Sequence, residues 1–238
     1  MKKINYYNYN EDGFCLTEKL PDEFIENLKK ILSFSKFENF KLGNTELKIF
    51  SFDLKNNLVD ECLKKVIQTI QENTNIDKSF LEKNFTNRVY LTEDDINSEH
   101  RNQKFHFDSY PSIKMMIYLS DNSEDSSGST VLLKGSAKSS LMKKINFLRY
   151  FYVPGKNGMN NNKEIDKLKK SCEKISASNC KYSALIFNTD TLHCAGKIKK
   201  ENFKRLNVRF DFNLNRKSGV YLDNIYTRVS NIYSRVFN

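Results

Sequence analysis

Two of the three histidines in the chain lie in surroundings that could do chemistry, and the first of them is His106. His106 and Asp108 are separated by one residue in the segment 104–108, which we predict to be a β-strand. Alternate residues of a strand share a face, so these two side chains would point to the same side. A histidine and a carboxylate that share a face can bind one metal ion together. A His-x-Asp pair alone has low specificity, because a structural histidine on a strand gives the same pattern.

A third metal ligand is expected from His193. This histidine follows the apolar run 184–187, which has the composition of a buried strand. Two histidines and one carboxylate on a β scaffold form the facial triad of non-haem Fe(II) oxygenases, which leaves coordination positions open. The sequence therefore predicts a catalytic metal site made of His106, Asp108 and His193.

The segment 204–214 alternates between apolar and polar residues and is predicted to be a strand. Its polar face carries Arg205, Asn207 and Arg209, a dozen or more residues after His193. Arginine can bind a carboxylate through two parallel hydrogen bonds, so this face is suited to an anionic ligand. An exposed edge strand would show the same alternation, and both interpretations stay open at this point.

The elements that would position these residues change in character along the chain. Three helices are predicted near the N-terminus, the first opening at Pro21 and the others covering 57–71 and 77–85, with a strand at 46–52. Short strands separated by polar turns follow from residue 88. The predicted strands are 88–91, 104–108, 114–119, 130–133, 184–188 and 204–214. Many short strands with polar turns indicate an antiparallel sandwich or barrel.

Two segments lie outside this strand pattern. Residues 136–180 form an apparent insertion, with helical spacing of apolar residues from Ile165 to Ile175 and a polar loop at 154–162. The insertion is either a lid over the site or a surface excursion. The tail 216–238 has apolar residues at roughly helical spacing and is expected to dock on the core or on another subunit. We predict a single domain over 1–238, with a helix-rich flank at 1–85 and a β core at 86–215.

Composition sets limits on the class of protein. The 238 residues are 39% hydrophobic and 13% aromatic, which is enough to bury a large core and excludes a disordered chain. No apolar stretch approaches the roughly 18–20 residues that a membrane helix needs. The first residues lack the apolar run of a signal peptide, and the five cysteines are an odd number without a Cys-x-x-Cys pair. We therefore expect a cytoplasmic protein with free thiols.

The formal net charge of +10, from 39 basic and 29 acidic residues, indicates anionic partners. The lysines are dispersed, and no block of five or six basic residues occurs. Nucleic acid is therefore an open but disfavoured partner.

Taken together, these motifs resemble a known family. His106-x-Asp108, His193 and Arg205 look like the pattern of the Fe(II)/2-oxoglutarate-dependent dioxygenases, and the phytanoyl-CoA dioxygenase branch is the more similar one. Supporting stretches are 114–121, 127–130 and 134–136, and the resemblance covers about residues 86–215. It implies a double-stranded β-helix (jelly-roll, cupin-like) core in an α+β, mainly β chain, with flanking N-terminal helices and a helical insertion.

Three positions bear on variations of the family pattern, and two of them depart from it. Ala137 stands where the branch usually has a histidine. Asp108 is present, which disfavours the halogenase variation that vacates this position. Arg209 occupies the position of a threonine in the nucleic-acid demethylase pattern, so that match is partial.

The resemblance implies an enzyme that uses Fe(II), 2-oxoglutarate and O₂, releases succinate and CO₂, and hydroxylates a small organic substrate. An anionic substrate bearing phosphate or carboxylate is one option. Iron would be bound by the predicted triad, and Arg205 would pair with the distal carboxylate of 2-oxoglutarate. Further candidates for cosubstrate binding are Arg209, Lys114, Tyr118, Thr130 and Tyr90. Candidates for substrate contact are Arg88, Arg149, Tyr150 and Asn207. The alternatives are a non-catalytic β-barrel binding protein and an oxygenase that acts on nucleic acid or protein.

Overall fold

The computed structural model describes residues 7–42, 45–98, 104–108, 112–138, 163–178 and 181–214. Its helices are α1 (Tyr9–Asp12), α2 (Asp22–Phe34), α3 (Asn57–Thr74), α4 (Lys78–Asn84) and α5 (Lys163–Ser171). Its strands are β1 (Phe14–Leu16), β2 (Glu38–Leu42), β3 (Thr45–Ser51), β4 (Phe85–Asp94), β5 (Ser112–Tyr118), β6 (Val131–Leu133), β7 (Lys174–Ser176), β8 (Ala184–Asn188), β9 (His193–Cys194) and β10 (Arg205–Asn213). No helix in these ranges combines the length and apolar character needed to cross a membrane.

Seven strands form a large antiparallel sheet in the order β1-β8-β5-β10-β4-β3-β2. Strand β10 lies in the middle, between β5 and β4, so it is not an edge strand. Its side chains alternate as expected, with Val208, Phe210 and Phe212 fully buried in the main core. The polar face of β10 therefore points to the opposite side of the sheet.

Helices cover one face of the large sheet. Helices α2 and α3 bury Leu28, Val66 and Ile70 against the apolar residues of β5 and β10. Side-chain caps mark where α3 and α4 begin, because Asn56 accepts hydrogen bonds from the N–H groups of residues 58 and 59, and Asp77 accepts one from residue 80. This packing leaves the other face of the sheet for the site.

The second sheet has three antiparallel strands in the order β7-β6-β9. Apolar side chains from both sheets meet in one buried cluster, to which β6 contributes Leu132, β5 contributes Tyr118 and β8 contributes Phe187. A further cluster packs Ile165 and Leu168 of α5 against Leu133 and Leu192. The β region is therefore two packed layers, as predicted from the many short strands.

The structure corrects two predicted elements. The segment 104–108 is not a strand, because only His106 forms a β-bridge. The helical spacing from 165 to 175 does not describe one helix, since α5 ends at Ser171 and residues 174–176 form β7. Pairing with β6 provides the hydrogen bonds that favour a strand there. Strand β7 belongs to the small sheet, so the insertion that we predicted over 136–180 ends before residue 174.

Other expectations have different outcomes. The short strands β1, β2, β7 and β9 were not predicted, whereas helices α2, α3 and α4 lie within a few residues of their predicted ranges. Cys15 and Cys62 are buried in the core. The loop at 154–162 and the tail 216–238 fall outside the described residues, so the lid and docking hypotheses stay predictions.

Candidate active site

The backbones of the two candidate metal-ligating histidines are hydrogen-bonded to each other. The His106 N–H donates to the His193 carbonyl at 2.9 Å, and the His193 N–H donates to the His106 carbonyl at 3.1 Å. His193 is held in β9, which pairs with β6. The Asp108 N–H donates to the carbonyl of Thr189 at 3.4 Å, just after β8. The triad is thus assembled at the edge of the small sheet by hydrogen bonds between residues that are more than 80 positions apart in the sequence.

The three predicted ligand side chains converge on one point. The Nε2 atom of His106 lies 3.7 Å from Asp108 Oδ1, and the Nε2 atom of His193 lies 3.5 Å from the same oxygen. Each of the three residues offers one potential ligand atom, and these three atoms lie within 4.8 Å of one another. Donors bound to one first-row metal ion at about 2.1 Å lie roughly 3 Å apart, so a small contraction would complete a facial set.

Backbone carbonyls set the tautomer of both histidines. The Nδ1 atom of His106 is 2.8 Å from the Lys104 carbonyl, and the Nδ1 atom of His193 is 2.8 Å from the Thr191 carbonyl. A carbonyl oxygen only accepts, so Nδ1 carries the proton in each ring and the Nε2 lone pair is left for a metal. Burial and the neighbouring His193 lower the pKa of His106 to about 4, which keeps this imidazole neutral. This arrangement is typical of metal-binding histidines.

Lys114 of β5 forms an ion pair with Oδ2 of Asp108, the oxygen that does not face the histidines. Burial by itself would raise the pKa of Asp108, but the nearby Lys114 ammonium holds it well below its usual range. The carboxylate is therefore ionised and available to a cation. The Lys114 ammonium also lies 5.9 Å from the ring centre of Phe187.

A single pocket contains the triad and the polar face of β10. Asn207 is buried in it, and Arg209 is half-buried. Its lining consists of Thr92, Asp94, His106, Asp108, Lys114, Met116, Thr130, Phe187, His193, Cys194, Ala195, Arg205, Asn207 and Arg209. The edge-strand alternative for 204–214 is wrong, because β10 is a central strand and its polar residues line the pocket.

Arg205 is heavily engaged within the protein. Its Nε and Nη2 atoms donate to Asp94 Oδ2 at 3.1 and 2.5 Å. Its Nη1 atom donates to the carbonyls of Gly128 and Gly196, the latter at 3.2 Å. The guanidinium is nevertheless part of the pocket wall.

Arg209 is held differently, although it lies on the same face. Its guanidinium carbon is 4.0 Å from the ring centre of Tyr90, and its Nε atom is 2.9 Å from Asp211 Oδ1. Burial alone would lower the pKa of Arg209, but Asp211 and Asp108 raise it. Among the described residues, neither Nη group donates a hydrogen bond, so the outer end of this guanidinium is open.

The remaining candidates are placed as follows. The Tyr118 hydroxyl and Thr130 Oγ1 are 3.0 Å apart and share a hydrogen bond beside the pocket. Tyr90 supports Arg209 and does not line the cavity, and Arg88 is exposed. Arg149 and Tyr150 lie outside the described residues.

Sequence reasoning missed several lining residues, above all Asp94 and Thr92 on β4. The alternation of β4 contained the signal, since Tyr90, Thr92 and Asp94 are spaced by two and share a face. The predicted strand 88–91 was too short to include them. Met116 could have been found in the same way from Lys114, its neighbour two positions away.

Comparison with solved structures places this architecture among known enzymes. The non-heme alpha-ketoglutarate-dependent epimerase SnoN from nogalamycin biosynthesis matches with a TM-score of 0.56 and 12% identity, over 87% of this chain and 80% of SnoN. HygX from Streptomyces hygroscopicus, solved with nickel and 2-oxoglutarate, matches with a TM-score of 0.52 and 14% identity, over 86% of this chain and 84% of HygX. The chain shares the fold of SnoN and HygX.

A third match extends the comparison to nearly the whole chain. The non-heme alpha-ketoglutarate-dependent carbocyclase SnoK matches with a TM-score of 0.52 and 10% identity, over 94% of this chain and 91% of SnoK. No family model matches the sequence, and no curated protein does. The similarity is therefore one of fold, and the phytanoyl-CoA branch stays a prediction.

Proposed function

We propose that this protein is an Fe(II)- and 2-oxoglutarate-dependent oxygenase with a double-stranded β-helix core. The observation that carries the proposal is the convergence of two histidine Nε2 atoms and one carboxylate oxygen in a pocket of this fold. The fixed Nδ1–H tautomers support it, because they leave both Nε2 lone pairs available. SnoN has also been solved with Fe³⁺ and alpha-ketoglutarate, at a TM-score of 0.51 to this chain.

The donor set fits Fe(II). His106, Asp108 and His193 would bind the metal on one side and leave the pocket side open for the keto-acid group of 2-oxoglutarate. Bound iron would supply the activation of O₂, coupled to decarboxylation of the cosubstrate to succinate. The protein residues would hold the two reactants in place and exclude bulk water.

The charges of the pocket suit a dianionic cosubstrate. Three cations lie on the wall formed by β5 and β10, and each has a carboxylate partner, as in Lys114 with Asp108 and Arg209 with Asp211. A divalent metal would add two positive charges, which the two carboxylates of 2-oxoglutarate would balance. Arg205, through its position after His193, is the residue that we assign to the distal carboxylate, with Arg209 as the alternative.

The substrate is proposed to be a small organic molecule, for which hydroxylation is the usual outcome in this family. Met116 and Phe187 give the pocket apolar surface beside the metal site. SnoN is named an epimerase and SnoK a carbocyclase, so this fold supports more than one oxidative outcome.

The test is an anaerobic titration of the metal-free protein. Fe(II) is added first and 2-oxoglutarate second, and the weak visible charge-transfer band of the chelate is recorded. We expect the band in the wild type, its loss in His106→Ala and Asp108→Asn, and a much higher cosubstrate requirement in Arg205→Ala. Asp53→Asn, which changes an exposed aspartate outside the pocket, is the matched control. If the wild type shows neither band nor cosubstrate binding, the proposed function is wrong.

A further inference from the structure

The partner of Arg205 within the fold is Asp94, and the two residues face each other across neighbouring strands. Asp94 ends β4 and is the direct register partner of Arg205 at the start of β10. Only 6% of the Arg205 side chain and 1% of the Asp94 side chain is exposed. Both residues line the pocket that holds the triad. A carboxylate of the protein is thus already bound to the arginine that would receive the cosubstrate.

The hydrogen bonds of Arg205 leave little for a ligand. A guanidinium has five N–H groups. Two of them donate to Asp94 Oδ2, and two more from Nη1 are directed at the carbonyls of Gly128 and Gly196. One N–H of Nη2 is left, so an incoming carboxylate cannot form the bidentate pair in this arrangement.

The two glycine carbonyls hold the arginine in this position. Gly196 packs so closely on the backbone of residues 128 and 129 that a Cβ atom there would clash with the Ser129 carbonyl. The Gly196 N–H also donates to the Ser129 carbonyl at 3.1 Å. Because the acceptors of Nη1 are fixed, Arg205 cannot swing away from Asp94 without losing two hydrogen bonds.

The charge of Asp94 disfavours the binding of a second carboxylate to Arg205, as the hydrogen-bond geometry does. Asp94 neutralises Arg205, and a second carboxylate brought to the same guanidinium would be repelled by Asp94 in a poorly screened environment. A ligand without a distal carboxylate would experience neither effect. Both effects of Asp94 therefore weaken only the binding of the distal carboxylate, the end of the cosubstrate that is remote from the metal.

We propose that Asp94 is a built-in competitor for the distal carboxylate of 2-oxoglutarate, which weakens cosubstrate binding by occupying Arg205. This inference rests on the proposed function and adds a specificity-determining residue to it. Asp94 accepts two hydrogen bonds from Arg205, so we expect it to act on cosubstrate affinity through this arginine.

The test separates charge from shape with the substitution Asp94→Asn. The asparagine oxygen can accept from Nε and Nη2 as Asp94 Oδ2 does, while the negative charge is removed. The probes are 2-oxoglutarate and 2-oxobutyrate, which has the same keto-acid group but no distal carboxylate. Each is titrated anaerobically into the Fe(II) protein, and the dissociation constant is read from the charge-transfer band.

We expect Asp94→Asn to bind 2-oxoglutarate about tenfold more tightly, with the affinity for 2-oxobutyrate unchanged. Glu93→Gln is the matched control, because Glu93 is the adjacent residue of β4 and pairs at 2.6 Å with Lys204, the neighbour of Arg205, on the outside of the sheet. The control should leave both affinities unchanged.

Three outcomes would overturn the inference. An unchanged affinity for 2-oxoglutarate would show that Asp94 does not act on the distal carboxylate. Weaker binding of 2-oxoglutarate alone would show that Asp94 supports the cosubstrate rather than competing with it. Equal changes for both probes would indicate a general effect on folding. Absence of the band for both probes in the wild type would instead reject the proposed function.

Discussion

Lys114 and a metal ion are expected to compete for the same carboxylate, and Lys114→Met tests this competition. The ammonium of Lys114 is paired with Asp108, one of the three metal ligands, and only 12% of the Lys114 side chain and 21% of that of Asp108 is exposed. Methionine preserves the length and the apolar stem of the lysine while removing its charge. The substitution therefore leaves the Asp108 carboxylate beside the two imidazoles without its Lys114 partner.

The size of the effect follows from the geometry. Two unit charges about 4 Å apart interact by about 4 kcal/mol at an effective dielectric constant of 20. A divalent ion bound to Asp108 would be repelled by the nearby ammonium, and the partial exposure of the pair reduces this repulsion through solvent and salt. We take about 2 kcal/mol as the net effect, which corresponds to roughly 30-fold tighter metal binding in Lys114→Met.

Calorimetric titration with Ni²⁺ or Mn²⁺ in the absence of cosubstrate measures this directly, because neither ion oxidises under these conditions. The metal-free variant should also unfold at a lower temperature than the metal-free wild type. Added metal should raise the unfolding temperature of the variant by more than it raises that of the wild type. Lys204→Met is the matched control, since Lys204 belongs to an ion pair in which it is 68% exposed. Metal affinity that is unchanged or lower in Lys114→Met would refute the competition.

Two further predictions concern stability. The pKa of His106 is about 4 in the folded protein, below its ordinary value of 6.5, so between these pH values the unfolded chain binds a proton that the folded chain does not. The stability contributed by neutral His106 is present above pH 6.5 and is lost as the pH falls towards 4, by up to about 3 kcal/mol. Urea unfolding of the metal-free protein should show that the free energy of unfolding falls over this pH range, and that it falls less steeply in His106→Gln. An equally steep fall in His106→Gln would contradict the assignment. Phe210→Ala should lower the free energy of unfolding by about 3–5 kcal/mol, because Phe210 is fully buried and its ring centre lies 5.5 Å from that of Phe52. Phe34→Ala, at a residue 53% exposed, should change it by less than about 0.5 kcal/mol.

Local patterns in the sequence were sufficient for much of the site. The alternation of 204–214 correctly predicted that Arg205, Asn207 and Arg209 share a face opposite the core residues Val208 and Phe210. Side-chain direction in a strand depends on the backbone of that strand alone, so it can be read from the residues themselves. The shared direction of His106 and Asp108 was predicted from their spacing for the same reason.

The segment around His106 shows the limit of that reasoning. Its side chains alternate as in a strand, since His106 and Asp108 enter the pocket and Phe107 packs with Leu133 and Leu192. The segment is nevertheless not a strand, because a ladder needs a partner and only one β-bridge is formed. Whether an extended segment pairs depends on residues far away in the chain.

Sequence patterns predict the donor groups of the candidate site: two histidines and a carboxylate that could bind a metal, with arginines on a strand that follows. Tertiary contacts determine which of those groups are already engaged. The register of β4 against β10 sets Asp94 opposite Arg205, and the carbonyls of Gly128 and Gly196 supply the remaining acceptors. Arg209 keeps its outer nitrogens open among the described residues because its partners are Tyr90 and Asp211. Strand register is a non-local property, fixed by the packing of both sheet faces, so no local pattern could have told the two arginines apart.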